Sequence, residues 1–490
     1  MSEIIFLDKV LKENDGPTPA EVALMLRNAG VEVSDKIKGI ADKTASLYWQ
    51  VGFDTDIGGG RENQDDFFVW QKREYGVTIA CVLDGHGREV GKVAAVAARL
   101  ALLKYCEETL QELLESPYKW LVNAHEIAHR EIKAAFRKEL EGQGFEVQEV
   151  IPEGYLLKRK LSQAWSCVHG GSTCSIVATI GFDMYIANVG DSSATLCTKL
   201  PVLRKSQLIH LGDAACDDRI VPFDGTKEDD IPANTLELTA NHSPESPSEF
   251  LRLRAFRHRD GDPTQPLLMV VYDSPSCEKC RCNPVFELNA EGVPCVTNKG
   301  RYYKNVRKEW ASLVSTPGSA RFQDALAMTR SLGDLHIESY GVIHLPEVQH
   351  IDLRKIFENL ALEKSLSSSC SETANVQENS STAAEAVDSS AETASAFPVV
   401  CLVLSTDGVW DNWSYEDVNK FVMDPSCLGA IAASADGAQR VAVSFMQRNA
   451  VYAKRNFGGQ ADNATGIVLY LSTSPSFPCG ADVCKGGVGV

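Results

Sequence analysis

Val77-Thr78-Ile79-Ala80-Cys81-Val82-Leu83-Asp84-Gly85-His86-Gly87 is the stretch on which the reading of the fold turns. The apolar run Val77–Leu83 predicts a buried strand. It ends in a carboxylate, a glycine, an imidazole and a second glycine. Such an end can present a metal ligand and a proton donor at the edge of a sheet. The glycines let the backbone approach a ligand closely.

Working outward, the pattern repeats. Asp65-Asp66 precedes Phe67-Phe68-Val69-Trp70, and Met184–Val189 runs into Gly190-Asp191-Ser192. Val399–Leu404 ends in Ser405-Thr406-Asp407-Gly408, and Asp462-Asn463 opens the run to Leu471. Asp66, Asp84, Asp191, Asp407 and Asp462 therefore all lie at the ends of apolar strands. A hairpin turning near Arg73–Gly76 would bring Asp65 or Asp66 beside Asp84. Carboxylates gathered at one point repel, and some are forced to hold protons. Divalent cations resolve that conflict. An all-oxygen set suits Mg2+ or Mn2+ rather than Zn2+, which prefers Cys and His. Two such ions about 3.5–4 Å apart can activate a water and stabilise a transferring phosphoryl group. His86 is then placed to protonate a leaving alkoxide.

Bulk properties narrow the class. The chain has 490 residues, 44% hydrophobic and 23% charged, with a net charge of -18. This is a globular composition, and its acidity argues against general nucleic-acid binding. No window holds 18 uninterrupted apolar residues, so no transmembrane helix is expected. The start, Met1 through Lys9, lacks the basic and long apolar regions of a signal peptide. The expected location is cytoplasmic or nuclear, the expected state a monomer, and the fifteen cysteines are expected to be reduced thiols.

In order, residues 1–45 read as a helical extension and β character begins at 46. Residues 88–140 predict two long helices, and 166–197 a pair of strands. Residues 200–325 are irregular and polar. Ala325–Gly333 predicts a short helix stopped by its glycine. The Ser, Ala, Thr and Glu run 364–396 predicts a disordered insertion, since it has little apolar surface to bury. A helix is expected near 437–455, and residues 473–490 read as a flexible tail.

The ordered set of motifs resembles the metal-dependent protein phosphatases of type 2C. The matching pieces are Arg61 through Asp66, Val82 through Gly87, Gly171-Ser172-Thr173 and Asn188 through Ser192. Leu238 through His242, Met328 through Asp334, Ser405 through Asp411 and Asp462 through Thr465 complete it. They span roughly residues 46–472. The resemblance implies an α+β fold: a four-layer α-β-β-α sandwich, two antiparallel sheets flanked by helices, with a long insertion forming a flap. It implies hydrolysis of phosphoserine and phosphothreonine in protein substrates by a metal-activated water, with two Mg2+ or Mn2+ ions and a weaker third.

Position by position, Asp84 would bridge both ions, the Gly85 carbonyl would help bind one, and Asp407 and Asp462 would complete the centre. Asp65 and Asp66 would hold metals, partly through water, and the sequence does not rank them. Asp191 and Asp411 match the third site. His86 matches the general acid, and Arg61 the phosphate clamp. Thr173, Arg330 and Asn463 would be supporting residues. The family's Thr-x-Asp-His segment is here Thr239-Ala240-Asn241-His242, one carboxylate fewer.

Other signals are weaker. Cys277, Cys280, Cys282 and Cys295 lack the second close pair of a zinc site. His125-Glu126-Ile127-Ala128-His129 has the spacing of a zinc protease without a further ligand motif. Asp54-Thr55-Asp56 lacks the threonine of aspartate-nucleophile phosphatases. Gly190-Asp191 and Gly333-Asp334 lack the second aspartate of calcineurin-like phosphoesterases. A pseudophosphatase acting as a binding module is the alternative. It predicts lost metal-site acids, and Asp84, Asp407 and Asp462 are present.

Overall fold

Val77–Leu83 lies inside a sheet, paired antiparallel with Asp66–Lys72 on one side and Cys174–Ile180 on the other. The computed structural model describes residues 47–161, 163–213, 230–240, 242–256, 268–272, 282–297, 300, 303–374, 397–479 and 484–486. Asp183–Val189, Glu347–Asp352 and Leu208–Asp213 extend this sheet to seven strands, with Cys484–Gly486 on the far edge beside Phe68–Trp70. A second sheet has five antiparallel strands, in the order Tyr48–Asp56, Ala464–Ser472, Val399–Ser405, Ser193–Thr198 and Thr235–Glu237.

Side-chain alternation stacks these sheets face to face. Ala80 and Val82 point inward to a core shared with Leu402, Leu404, Ile467 and Leu469 of the second sheet. Val77, Ile79, Cys81 and Leu83 point outward, against helices Gly91–Glu108 and Pro117–Gly142. Both faces are covered, which is why the strand reads as a continuous apolar run. On the other side, Cys401, Val403, Val468 and Tyr470 pack under helices Tyr415–Val422, Pro425–Ala433 and Gly437–Phe457. The result is the expected four-layer α-β-β-α sandwich.

Several local expectations change. The 88–140 region holds three helices, because a six-residue piece, Leu110–Glu115, separates the two long ones. Pro117 starts a new helix where it would interrupt an old one. The Ala325–Gly333 helix is not formed. Ala325–Leu326 pairs with Val314 and Ser315, and Leu332–Gly333 pairs with Gly171–Ser172. Those ladder partners lie outside the run itself, and its local apolar spacing carries no trace of them. Within 200–325, Leu253, Met269, Phe286 and Val314 form a small core of their own, together with Ile337 and Val342. Helix Leu353–Ala374 runs into the Ser/Ala-rich stretch, and residues 375–396 lie outside the described residues. Residues 1–45, Asn241, Cys277 and Cys280 also lie outside them. No helix among the described residues is long and apolar enough to cross a membrane.

Candidate metal centre

Strand parity separates the two acids that the sequence leaves unranked. In Asp66–Lys72, Phe67 and Val69 face the inter-sheet core, while Phe68 and Trp70 face the helices. Asp66 has the helix-side parity, and its Oδ2 accepts a 2.8 Å charge-assisted hydrogen bond from Arg99 Nε. Asp65 has the opposite parity. It is fully buried, and its Oδ2 accepts from Thr406 Oγ1 at 2.9 Å. Thr406 directly precedes Asp407, so Asp65 belongs to the end of the sandwich where the other acids meet.

Four chain segments converge there. The hairpin register sets Asp66 opposite Leu83, which carries Asp65 to the level of Asp84. Asp84 is pinned from both sides by Thr173, whose Oγ1 accepts the Asp84 N–H at 2.9 Å and whose N–H donates to the Asp84 carbonyl at 2.9 Å. Asp407 opens the short helix Asp407–Trp410, and Asp411 follows it. Asn463 Oδ1 accepts from Gln64 N at 2.7 Å, and Asn463 Nδ2 donates to the Ile57 and Glu62 carbonyls. This clamps the Arg61 loop beside Asp462.

Two glycines permit the close approach. A Cβ on Gly408 would stand 1.9 Å from the Asn463 carbonyl oxygen. One on Gly58, at φ +63, would stand 2.1 Å from the Asp462 carbonyl oxygen. Arg61 itself is solvent-exposed on the loop.

The electrostatics are those of crowded carboxyls. Burial pushes Asp65 up to about 7 against hydrogen bonds from Thr465 and Thr406, and the Asp462 charge adds to the push. Desolvation, then the charges of Asp407, Asp65 and Asp462, hold Asp84 well above the usual carboxylate range. Asp407 is raised in the same way by desolvation, then by Asp191, Asp462 and Asp411. Asp65 Oδ1, Asp191 Oδ1 and Asp407 Oδ1 are buried without hydrogen-bond partners. Orphaned acceptors, carboxyls held above their usual range by burial and mutual charge, and an all-oxygen donor set together fit hard divalent cations.

His86 stands beside this cluster on the two-residue strand Gly85–His86, which pairs with Gly171–Ser172. Its Nε2 lies 2.5 Å from Asp334 Oδ2. Burial alone would lower the ring's pKa, but the charge and hydrogen bond of Asp334 outweigh it and raise it. Asp334 also accepts from Ser331 Oγ at 2.6 Å and adopts a left-handed backbone, φ 45, unusual for a residue other than glycine. The sequence places it within a matching motif and assigns it no role. The available signal was its place at the end of the Met328–Asp334 motif.

Arg330, expected as a supporting residue, is a buried structural hub. It bonds Asp213 at 2.8 and 2.7 Å, Glu249 at 2.6 Å and the Leu345 carbonyl at 3.1 Å. His242 Nδ1 accepts from Gly190 N at 3.3 Å, so the Thr239–His242 segment holds the turn that carries Asp191. The His125–His129 pair makes no protease site. His125 bonds the Leu121 carbonyl, while His129 Nδ1 accepts the Gly333 N–H. That bond leaves the neutral ring's proton on Nε2, the nitrogen that faces Glu338 at 3.2 Å.

Fold and site define a class: a four-layer sandwich whose one end gathers aspartates suited to hard divalent cations. The family model described as Protein phosphatase 2C matches residues 121–210. An Arabidopsis thaliana protein, "Probable protein phosphatase 2C 72", is 25% identical over 297 residues, covering 59% of this chain and 60% of its own length. A second from Arabidopsis thaliana, "Probable protein phosphatase 2C 34", is 22% identical over 427 residues, covering 85% of this chain and 79% of its own. The solved serine-threonine phosphatase 2C of Toxoplasma gondii superposes with a TM-score of 0.44 at 13% identity, over 86% of this chain and 95% of that one. The chain is therefore similar to protein phosphatases of type 2C, in the matched residues 121–210 and in these relatives.

Proposed function

We propose that this chain hydrolyses phosphoserine and phosphothreonine in protein substrates at a binuclear Mg2+ or Mn2+ centre. The observation that supports this most is the convergence of Asp65, Asp84, Asp407 and Asp462, with orphaned carboxylate oxygens, beside the His86–Asp334 pair. Asp84, the Gly85 carbonyl, Asp65, Asp407 and Asp462 are the donors that would hold the cations. Cations held there would supply Lewis acidity and a water of lowered pKa. Arg61, exposed on its loop, is assigned to the substrate phosphate. His86 donates a proton to the departing serine or threonine oxygen, and Asp334 keeps the ring oriented and charged. Thr173 and Asn463 hold the geometry, and Asp66 acts through Arg99 to lock strand to helix. The catalytic domain is assigned to residues 46–472.

The experiment is Mn2+-dependent release of phosphate from a phosphothreonine peptide by the full chain. Asp84→Asn and Asp407→Asn are each expected to lower the rate at least about 100-fold. Absence of metal-stimulated release in the parent would overturn the reading. If peptide binding survived that loss, the pseudophosphatase alternative would take its place.

A further inference from the structure

The insertion sends a cation into the acid cluster. Residues Tyr303 and Trp310 bridge to close a hairpin, and Lys304 N donates to the Glu309 carbonyl at 2.7 Å. Within it, Asn305 Nδ2 bonds Glu309 Oε2 at 2.7 Å, and Lys308 takes a left-handed turn conformation, φ 66. The hairpin is fastened to the helix that carries two of the acids. Val306 N donates to the Asp411 carbonyl at 3.2 Å, and Arg307 Nη1 donates to the Trp410 carbonyl. Glu309 in turn pairs with Arg307.

This braced turn delivers Lys304 Nζ to 3.7 Å from Asp191 Oδ2 and 3.7 Å from Glu309 Oε2. The other oxygen of Asp191 is buried with no hydrogen-bond partner. Asp191 and Asp411 are the two acids that the family resemblance assigns to a weaker third ion.

We propose that the Lys304 ammonium occupies the third-cation position, so that this chain carries a built-in monovalent charge where a dissociable metal ion would otherwise sit. The inference rests on the metal centre proposed above. A compact ammonium is a point charge that neutralises carboxylates without a fixed coordination geometry. A divalent ion entering beside it would meet like-charge repulsion inside a partly desolvated pocket. The hairpin's backbone anchors make the charge a permanent part of the site.

The test counts bound Mn2+ by isothermal titration calorimetry, with Mn2+ alone as the probe. The parent is compared with Lys304→Met, which keeps the chain length and removes the charge. Lys304→Met is expected to bind one more ion per chain than the parent. Lys304→Arg is expected to bind the parent's number, and the double variant Lys304→Met with Asp191→Asn is expected to lose the extra ion. Equal, non-zero counts in the parent and Lys304→Met would overturn the assignment of Lys304 while leaving the metal centre standing. No ion bound by either protein would overturn the metal centre itself, and this inference with it. Thermal melting checks that each variant is folded, and Lys304→Gln makes the same comparison if Lys304→Met does not melt cooperatively.

Discussion

Asp65 and Asp66 are adjacent acids with opposite fates, because successive side chains of a strand point to opposite faces. Their variants should therefore fail in different ways. Asp65→Asn is expected to weaken Mn2+ binding at least about 10-fold with little change in melting temperature, read by calorimetry and thermal melts. Asp66→Ala is expected to keep Mn2+ affinity and to cost about 3 kcal/mol of stability in a urea titration, since it strands Arg99 beside a buried gap. The reverse assignment of effects would refute the parity argument. His86 and Asp334 form a second residue-scale unit. Asp334→Asn is expected to lower kcat at least about 10-fold with KM little changed, and His86→Asn about 100-fold or more. A purely structural Asp334 would instead show its effect in stability.

At the scale of elements, short pieces do the positioning. The two-residue strands Gly85–His86, Gly171–Ser172 and Leu332–Gly333 form a small ladder that sets His86 within reach of Asp334. Strands this short carry no periodicity, which is why the spacing of Ala325–Gly333 predicts a helix where the fold forms two ladder pieces. The crossing of Gly408 under the Asn463 carbonyl does the same for Asp407 and Asp462. Gly408→Ala is expected to cost about 1–3 kcal/mol by overpacking and to weaken Mn2+ binding, because the segments carrying the two acids must move apart. Full metal affinity in a folded Gly408→Ala protein would show that this crossing does not set the centre. The long apolar strands, by contrast, were legible from composition alone, since both faces of each sheet are covered.

For the whole molecule, the acid cluster opposes the folded state whenever no cation offsets it. Asp65 and Asp411 rise from 3.8 to about 7 in the folded chain, chiefly through burial. Between about pH 4 and 7 the folded form therefore holds protons that the unfolded form has already released. Stability should fall as pH rises through this window in the presence of a chelator, by a few kcal/mol in total. Adding Mn2+ should recover most of that loss at pH 7 and above, where the carboxylates are free to bind it, and little at pH 5, where protons compete. Melting temperatures measured across that range with EDTA and with Mn2+ check both arms. A flat pH profile in EDTA would contradict the crowding of these carboxyls.

Residue order by itself determined the sandwich and the identity of the gathered acids. Apolar runs ending in Asp84, Asp191 and Asp407 carry the strands and their strand-end acids locally, through burial and position, while the sandwich follows from the order of the motifs that resemble the type 2C phosphatases. Only the tertiary structure decided that Asp65 rather than Asp66 faces the cluster, that Asp334 backs His86, that Arg330 braces Asp213 and Glu249, and that Lys304 reaches Asp191. Each of these depends on partners scores or hundreds of residues apart, meeting through sheet register and the folding of the insertion. No local pattern in the chain encodes those distances.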